Sequence, residues 1–463
     1  MTARAELPTR LLTAVLLTLA AIVGVVAGYS PPVAIGLTLA LVFLAVAITN
    51  LTAGIALFAL LTFLETILPT QGSEGTFSVP KLLGLVLMIS WLGLVTAGER
   101  EYRHRIFSHP AFLLVLFMLV GWVLTSVAWS EDSGAALASF TRWLPNATLF
   151  VIVFAGVRTR EQLYWVLGAF VVGAFVSAIY GLIVPAPASD FGRLEGAGGD
   201  PNETAAALVA AAALAIALAV SWRGKPFMRL VAIVTAPLCA FASLLTLSRG
   251  GLVAFGAALI AAVLMAGRRR AQMLVLAVVS ASLAVGYFAF FAPASAVERV
   301  TEVHGGTGRT DIWKVGLRMV RGAPLQGIGA GNFPIVSIHY LLEPGALLRD
   351  DFIVDKPKVA HNTYLEVLAE LGIVGLTLFL IVIFFAIGCA VRAARYAAKL
   401  KDREIDIMAR ALVVALASLL AANFFISREY SKQLWLLLAL GPAMLNILRS
   451  DHGATRGTPD LAP

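Results

Sequence analysis

Apolar runs close to the length that crosses a bilayer as helix recur from Leu11 to Leu448. A run of about 20 such residues leaves few folds open, because backbone N–H and C=O groups in hydrocarbon need partners within the protein. A helix supplies those partners within each run. A barrel would instead need short segments of alternating polarity, and none is evident. Of the 463 residues, 59% are hydrophobic and 13% charged, roughly half the charged share of a soluble domain. These features predict an all-α, polytopic integral membrane protein of about 12 to 14 transmembrane helices, with one long extracytoplasmic loop carrying short helices.

The net charge of +8 does not imply nucleic acid as a partner. The basic residues gather in loops between apolar runs, where they set orientation. With the N-terminus in the cytoplasm, alternate loops carry Arg4 and Arg10, then Arg100, Arg103 and Arg105, then Arg158 and Arg160. Further along, the same side carries Arg223, Lys225 and Arg229, then Arg268 to Arg270, Arg392 to Arg410, and Arg449. Both termini are therefore expected in the cytoplasm. The first apolar run lacks a small-residue cleavage site and reads as a retained helix. Cys239 and Cys389 lie inside apolar runs and make neither a disulfide framework nor a zinc pattern. No metal or cofactor is expected. Residues 1–184 read as N-terminal transmembrane helices, 185–448 as the region with chemistry, and 449–463 as a disordered cytoplasmic tail.

The loop 292–360 is too long for a simple connection. Within it, Thr310 to Arg321 has helical apolar spacing, with Lys314, Arg318 and Arg321 on a shared face. That pattern predicts an amphipathic helix lying on the membrane or over a site. A glycine-rich turn, Gly327 to Asn332, follows. It is neither a P-loop nor a dinucleotide fingerprint. The loop closes at Thr363-Tyr364-Leu365-Glu366, which has the form of a capping box. His361 thus stands just ahead of a helix, beside unpartnered N–H groups and the positive end of the helix dipole.

On the expected outer side, polar residues form four clusters. They are Gly192 to Gly196 with Asp200 to Thr204, Leu247 to Gly251, Gly308 to Trp313, and His361 with Asn362. Arg142 is a weaker fifth candidate. Guanidinium groups match phosphate oxygens bidentately, and helix N-termini attract anions, so this set suits a diphosphate at the lipid–water boundary. Taken singly, each residue keeps an ordinary reading beside that one. Arg249 could snorkel to the surface, Arg193 could pair with Glu195, and Arg309 with Asp311 or Glu302. His361 could be a plain neighbour of a helix cap. Asn202, Asp311, Asn362 and Glu366 are candidate supporting residues, with Asp311 orienting an arginine and Glu366 completing the cap.

The motifs in order are R-x-x-G then PN over Arg193–Asn202, SRGG at Ser248–Gly251, and GRTDxW at Gly308–Trp313. After them come PxxGxGxGNF at Pro324–Phe333 and HNxxLExxxExGxxGL at His361–Leu376. This series resembles the O-antigen ligase/polymerase superfamily of GT-C-like membrane glycosyltransferases. The resemblance covers the chain from the seventh apolar run to the twelfth. It implies a metal-independent enzyme of the bacterial inner membrane that takes a glycan from an undecaprenyl-diphosphate carrier on the outer face. The glycan passes, with inversion, to an acceptor lipid, glycan or protein, as ligation or as polymerisation. Membrane lipids are further partners. By motif position it implies diphosphate binding by Arg193, Arg249 and Arg309, and catalysis by His361.

Two other classes stand beside that reading. One is a transporter or permease of a small anion or lipid-linked glycan, which should carry polar residues near the bilayer midplane; here they gather at one boundary. The other is a scaffold that docks partners on the long loop, which leaves the arginines at separate helix ends unexplained.

Overall fold

The computed structural model describes residues 17–65, 79–96, 107–184, 193–301, 309–341 and 358–456. Arg4, Arg10, the Arg100–Arg105 cluster, Gly192, Glu302, His304, Gly308 and the tail from residue 457 lie outside them. The described residues form helices and no strand. In order these are α1 (Leu17–Tyr29), α2 (Pro31–Thr49), α3 (Leu51–Leu61), α4 (Val79–Thr96), α5 (Pro110–Thr125) and α6 (Ser133–Gly156). Next come α7 (Arg160–Ile183), α8 (Pro201–Ser221), α9 (Pro226–Leu245), α10 (Arg249–Met265) and α11 (Arg270–Phe290). The long loop contributes α12 (Ala294–Thr301), α13 (Arg309–Gly322) and α14 (Phe333–Val336). The chain closes with α15 (Thr363–Lys399), α16 (Arg403–Ala422) and α17 (Lys432–Arg456). Among the described residues, eight helices are long and apolar enough to cross a membrane, and several shorter apolar helices accompany them. The protein is an all-α polytopic membrane protein.

Burial sorts the bundle. α17 is enclosed almost completely from Leu434 to Leu448, and α8 and α16 are buried on most sides. α11 buries only Ala284 and turns the rest of its apolar surface outward. Large exposed side chains such as Leu283 and Val285 would be unstable in water but suit lipid contact.

Sharp local signals start the helices that matter for the site. The Asp200 carboxylate accepts the N–H groups of Asn202 (2.7 Å) and Glu203 (3.1 Å) ahead of Pro201, whose missing N–H costs nothing in a first turn. The Ser248 hydroxyl accepts the Gly251 N–H at 3.0 Å and starts α10 at Arg249. Asn362 caps α15 by accepting from Tyr364 and Leu365 at 3.1 and 3.2 Å. The helix thus starts near Asn362 and Thr363 as the sequence implies, with Asn362 as the cap in place of the Thr363 of a capping box. The Thr363 hydroxyl donates instead to the Ile426 carbonyl (2.8 Å), and the Glu366 carboxylate reaches past the cap to the Ala360 N–H (3.1 Å).

α15 is two helices joined at Gly372, whose φ of +67° no ordinary helical residue adopts. The glycine-rich turn docks there. Ile328 and Gly329 donate to the carbonyls of Ala369 and Glu370 (3.0 and 2.9 Å), and Ile373 donates back to Pro324 (2.9 Å). Both Glu370 oxygens are used on the same turn, by Gly331 N–H (2.7 Å) and Phe333 N–H (3.1 Å).

α13 lies over the first half of α15, with Ile312, Val315 and Met319 packed against Phe333, Ala360 and Ala369. One detail departs from the shared basic face expected of this helix. Arg318 turns inward, only 6% exposed, and donates to the Tyr340 carbonyl at 2.7 Å. The carbonyls at the end of the short Ser337–Tyr340 turn need a donor, and a buried arginine is stable only where it finds such partners. At the opposite end of the bundle, α17 continues to Arg456, past the Arg449 boundary where a tail was expected. Arg160 holds that stretch by bridging Asp402 (2.6 Å) and Asp451 (2.8 Å).

Candidate functional site

The N-termini of α8, α10 and α15 are joined through a hydrogen-bonded net at one end of the bundle. Arg193, 7% exposed, donates from Nε to the Thr246 carbonyl (2.9 Å) and from Nη2 to Asn202 Oδ1 (3.2 Å). The same Asn202 oxygen accepts the Ser248 hydroxyl at 2.8 Å. Asn202 therefore ties the 193–200 loop and α8 to the start of α10, where the half-buried Arg249 is the first helical residue. The Leu247 φ of +51° gives the tight turn that brings α9 back into α10.

His361 is half-buried and takes a φ of +49°, a left-handed conformation a histidine adopts at a small cost. Its flanking peptide is held from two sides. Ala360 N–H is taken by Glu366, which also accepts from the Ser427 hydroxyl, and Ala360 C=O accepts from Trp313 Nε1 at 3.0 Å. On the other flank, Thr363 N–H donates to the carbonyls of Asn423 and Ile426, both at 2.9 Å. The turn bearing the imidazole is thus anchored to α13, α15 and the α16–α17 loop.

The His361 imidazole is pushed down to about 4. Burial is the largest cause, followed by the positive charge of Arg309; Asp200 opposes the shift, and Lys358 adds to it. Arg309 and Asp200 therefore both lie within the electrostatic reach of His361. Asp200 is the cap of α8, next to the net that carries Arg193 and Asn202. Arg193, Asn202 and Ser248 are joined by hydrogen bonds, and Glu203, next to Asn202, reaches the His361 turn through Arg428, whose N–H donates to the Thr363 hydroxyl at 2.9 Å. Asp311 is buried (1% exposed) in the first turn of α13 and pairs with Lys314 at 2.9 Å.

Arg142 belongs to a neighbouring group. Its guanidinium stands 5.8 Å from the centre of the Tyr430 ring, and its side chain is exposed. Beside it is a stretch that sequence reasoning passed over, Ser427 to Tyr430 in the α16–α17 loop. Arg428 pairs with Glu203 of α8. Glu429 is buried (2% exposed) with one carboxylate oxygen unpartnered, and burial pushes its carboxyl up. Four polar residues between two apolar runs were the available signal. Asp200 was likewise grouped with its cluster and not read as a charge acting on His361.

A neutral imidazole, fixed guanidinium groups and helix N-termini can together accept a proton and stabilise a developing anion. The family described as O-antigen ligase matches residues 234–380. An O-antigen ligase of Pseudomonas aeruginosa is 26% identical over 410 residues, which cover 81% of this chain and 94% of that protein. The chain is similar to O-antigen ligases over most of its length. The region matched to the O-antigen ligase family contains Arg249, Arg309, Asp311, His361, Asn362 and Glu366. Arg193, Asn202 and Arg142 precede it and join it only through the folded structure.

Proposed function

We propose that this chain is a membrane glycosyltransferase of O-antigen ligase type. It moves a glycan from an undecaprenyl-diphosphate carrier to a lipid, glycan or protein acceptor, at the outer face of a bacterial inner membrane. Residues 185–448 hold the catalytic region. The observation that carries the reading is the place of His361 just ahead of α15, on a turn joined through Thr363 and Arg428 to Glu203 of α8, next to the net of Arg193, Asn202 and Ser248.

In this reading His361 removes the proton from an acceptor hydroxyl as that oxygen attacks the anomeric carbon. The new C–O bond forms on the face opposite the leaving group. The bond from the anomeric carbon to the phosphate oxygen breaks, and its electron pair leaves with the lipid diphosphate. Arg193, Arg249 and Arg309 stabilise the charge that develops there. The activated donor supplies the free energy. The distribution of basic loops supports the outer-face location.

The test is incubation of the purified protein with an undecaprenyl-diphosphate oligosaccharide and candidate acceptors. Loss of the donor together with growth of the acceptor is expected. An intact donor across every acceptor offered, with folded protein, would overturn the reading.

A further inference from the structure

A polar cavity of about 90 Å³, several times what one water requires, opens between α3, α7, α8 and the α16–α17 loop. Two ion pairs line it: Glu203 with Arg428, and Glu65 with Lys432 at 2.6 Å. Opposed charges in equal number leave it without the net positive character that a diphosphate needs, and the polar lining rejects a lipid tail. Asn423 also lines it. That residue is 3% exposed, and its Nδ2 has no hydrogen-bond partner. Buried amide donors are ordinarily satisfied, so an orphan beside a cavity points to a missing acceptor. The combination of paired charges, hydroxyls and an unsatisfied amide suits a neutral ligand rich in hydroxyl groups.

The cavity wall is joined to the His361 turn. The Asn423 carbonyl accepts the Thr363 N–H at 2.9 Å, two residues beyond His361. The Asp200 carboxylate acts on both His361 and Arg428. A sugar ring seated here would be held by the same elements that hold the imidazole.

We infer that the cavity lined by Glu65, Glu203, Asn423, Arg428 and Lys432 is a saccharide subsite, with Asn423 Nδ2 donating to an oxygen of a sugar ring. This rests on the glycosyl-transfer reading above. The ring belongs either to the acceptor or to the donor glycan, and steady-state kinetics separate the two.

The experiment uses the full-length protein, an undecaprenyl-diphosphate-linked oligosaccharide as donor and a lipid-anchored oligosaccharide as acceptor. Wild type is measured beside Asn423→Leu and Ala207→Leu. Asn423→Leu removes an unpartnered buried amide at similar volume, so its Tm should stay at or above that of wild type. Ala207→Leu fills the cavity from the α8 side. A rise in KM of roughly fivefold to tenfold, the worth of one hydrogen bond, is expected for one substrate in Asn423→Leu. A rise confined to the acceptor assigns the ring to the acceptor, and a rise confined to the donor assigns it to the donor. Ala207→Leu should raise KM for the same substrate, which provides the answer if Asn423→Leu does not fold. Unchanged KM for both substrates in folded variants would reduce the cavity to a water-filled void and overturn the inference while transfer by wild type stands. No transfer by wild type would sink the underlying reading instead.

Discussion

His361 is half-buried and under the influence of the Arg309 charge, and its protonation follows from that position. A base must be neutral to accept a proton. With the free-enzyme imidazole near 4 instead of 6.5, kcat/KM should stay level as pH falls through 6 and drop only as it approaches about 4. Removing the neighbouring charge in Arg309→Gln should shift that acid limb upward, toward the ordinary histidine range. A limb at 6.5 in both proteins would show that neither burial nor Arg309 acts on the base. Glu366 has a different task at the same scale. Its carboxylate holds Ala360 and Ser427 together, and it stabilises the turn by position.

At the scale of elements, the site depends on how the long loop grips α15. Gly372 and Gly327 approach each other across the kink: a Cβ on Gly372 would strike the Leu325 backbone, and one on Gly327 the Glu370 backbone. Gly372→Ala should therefore destabilise the protein by at least about 2 kcal/mol, from a positive φ and a steric clash together. Gly286 of α11 has open space around it, so Gly286→Ala should leave Tm within error or raise it slightly. Thermal unfolding in detergent compares the two. Trp313→Phe removes the hydrogen bond to the Ala360 carbonyl at a cost of about 1 kcal/mol. It should lower kcat more than it lowers Tm, and equal loss of both would make Trp313 a packing residue only.

Helix starts were legible in the sequence because their signals are local. The Pro201-Asn202 pair and the polar residues ahead of α15 each act within a turn of the chain, whereas the Ser248 cap of α10 was read only as a tight turn. The glycine-rich turn was legible as a turn, but its partner was not, since Gly372 lies forty residues away inside an apolar run and meets it only in the folded chain. Arg318 read as a surface residue because helical spacing says which residues share a face and not what covers that face. The α16–α17 loop escaped notice for the same reason: Arg428 gains its meaning from Glu203, far upstream on α8.

Considered as a whole, the molecule separates its polar chemistry by depth. The Arg193–Asn202–Ser248 net, His361 and the Arg428 loop gather at one end of the bundle, and Arg160 with Asp402 and Asp451 at the other. The proposal that the first end faces outward predicts the pattern of labelling by a membrane-impermeant thiol reagent. The native cysteines are buried and should stay silent. Gln326→Cys, exposed beside the α15 kink, should react in intact cells, and Ser450→Cys only after permeabilisation. The reverse pattern would invert the assigned orientation.

The most direct trial of the account is single-turnover transfer from an undecaprenyl-diphosphate oligosaccharide by His361→Ala beside wild type, with equal folding checked by Tm. The account predicts a loss of about 100-fold to 10,000-fold in the transfer step, the usual worth of a general base, with donor binding retained through the arginines. Transfer by folded His361→Ala at the wild-type rate would contradict it.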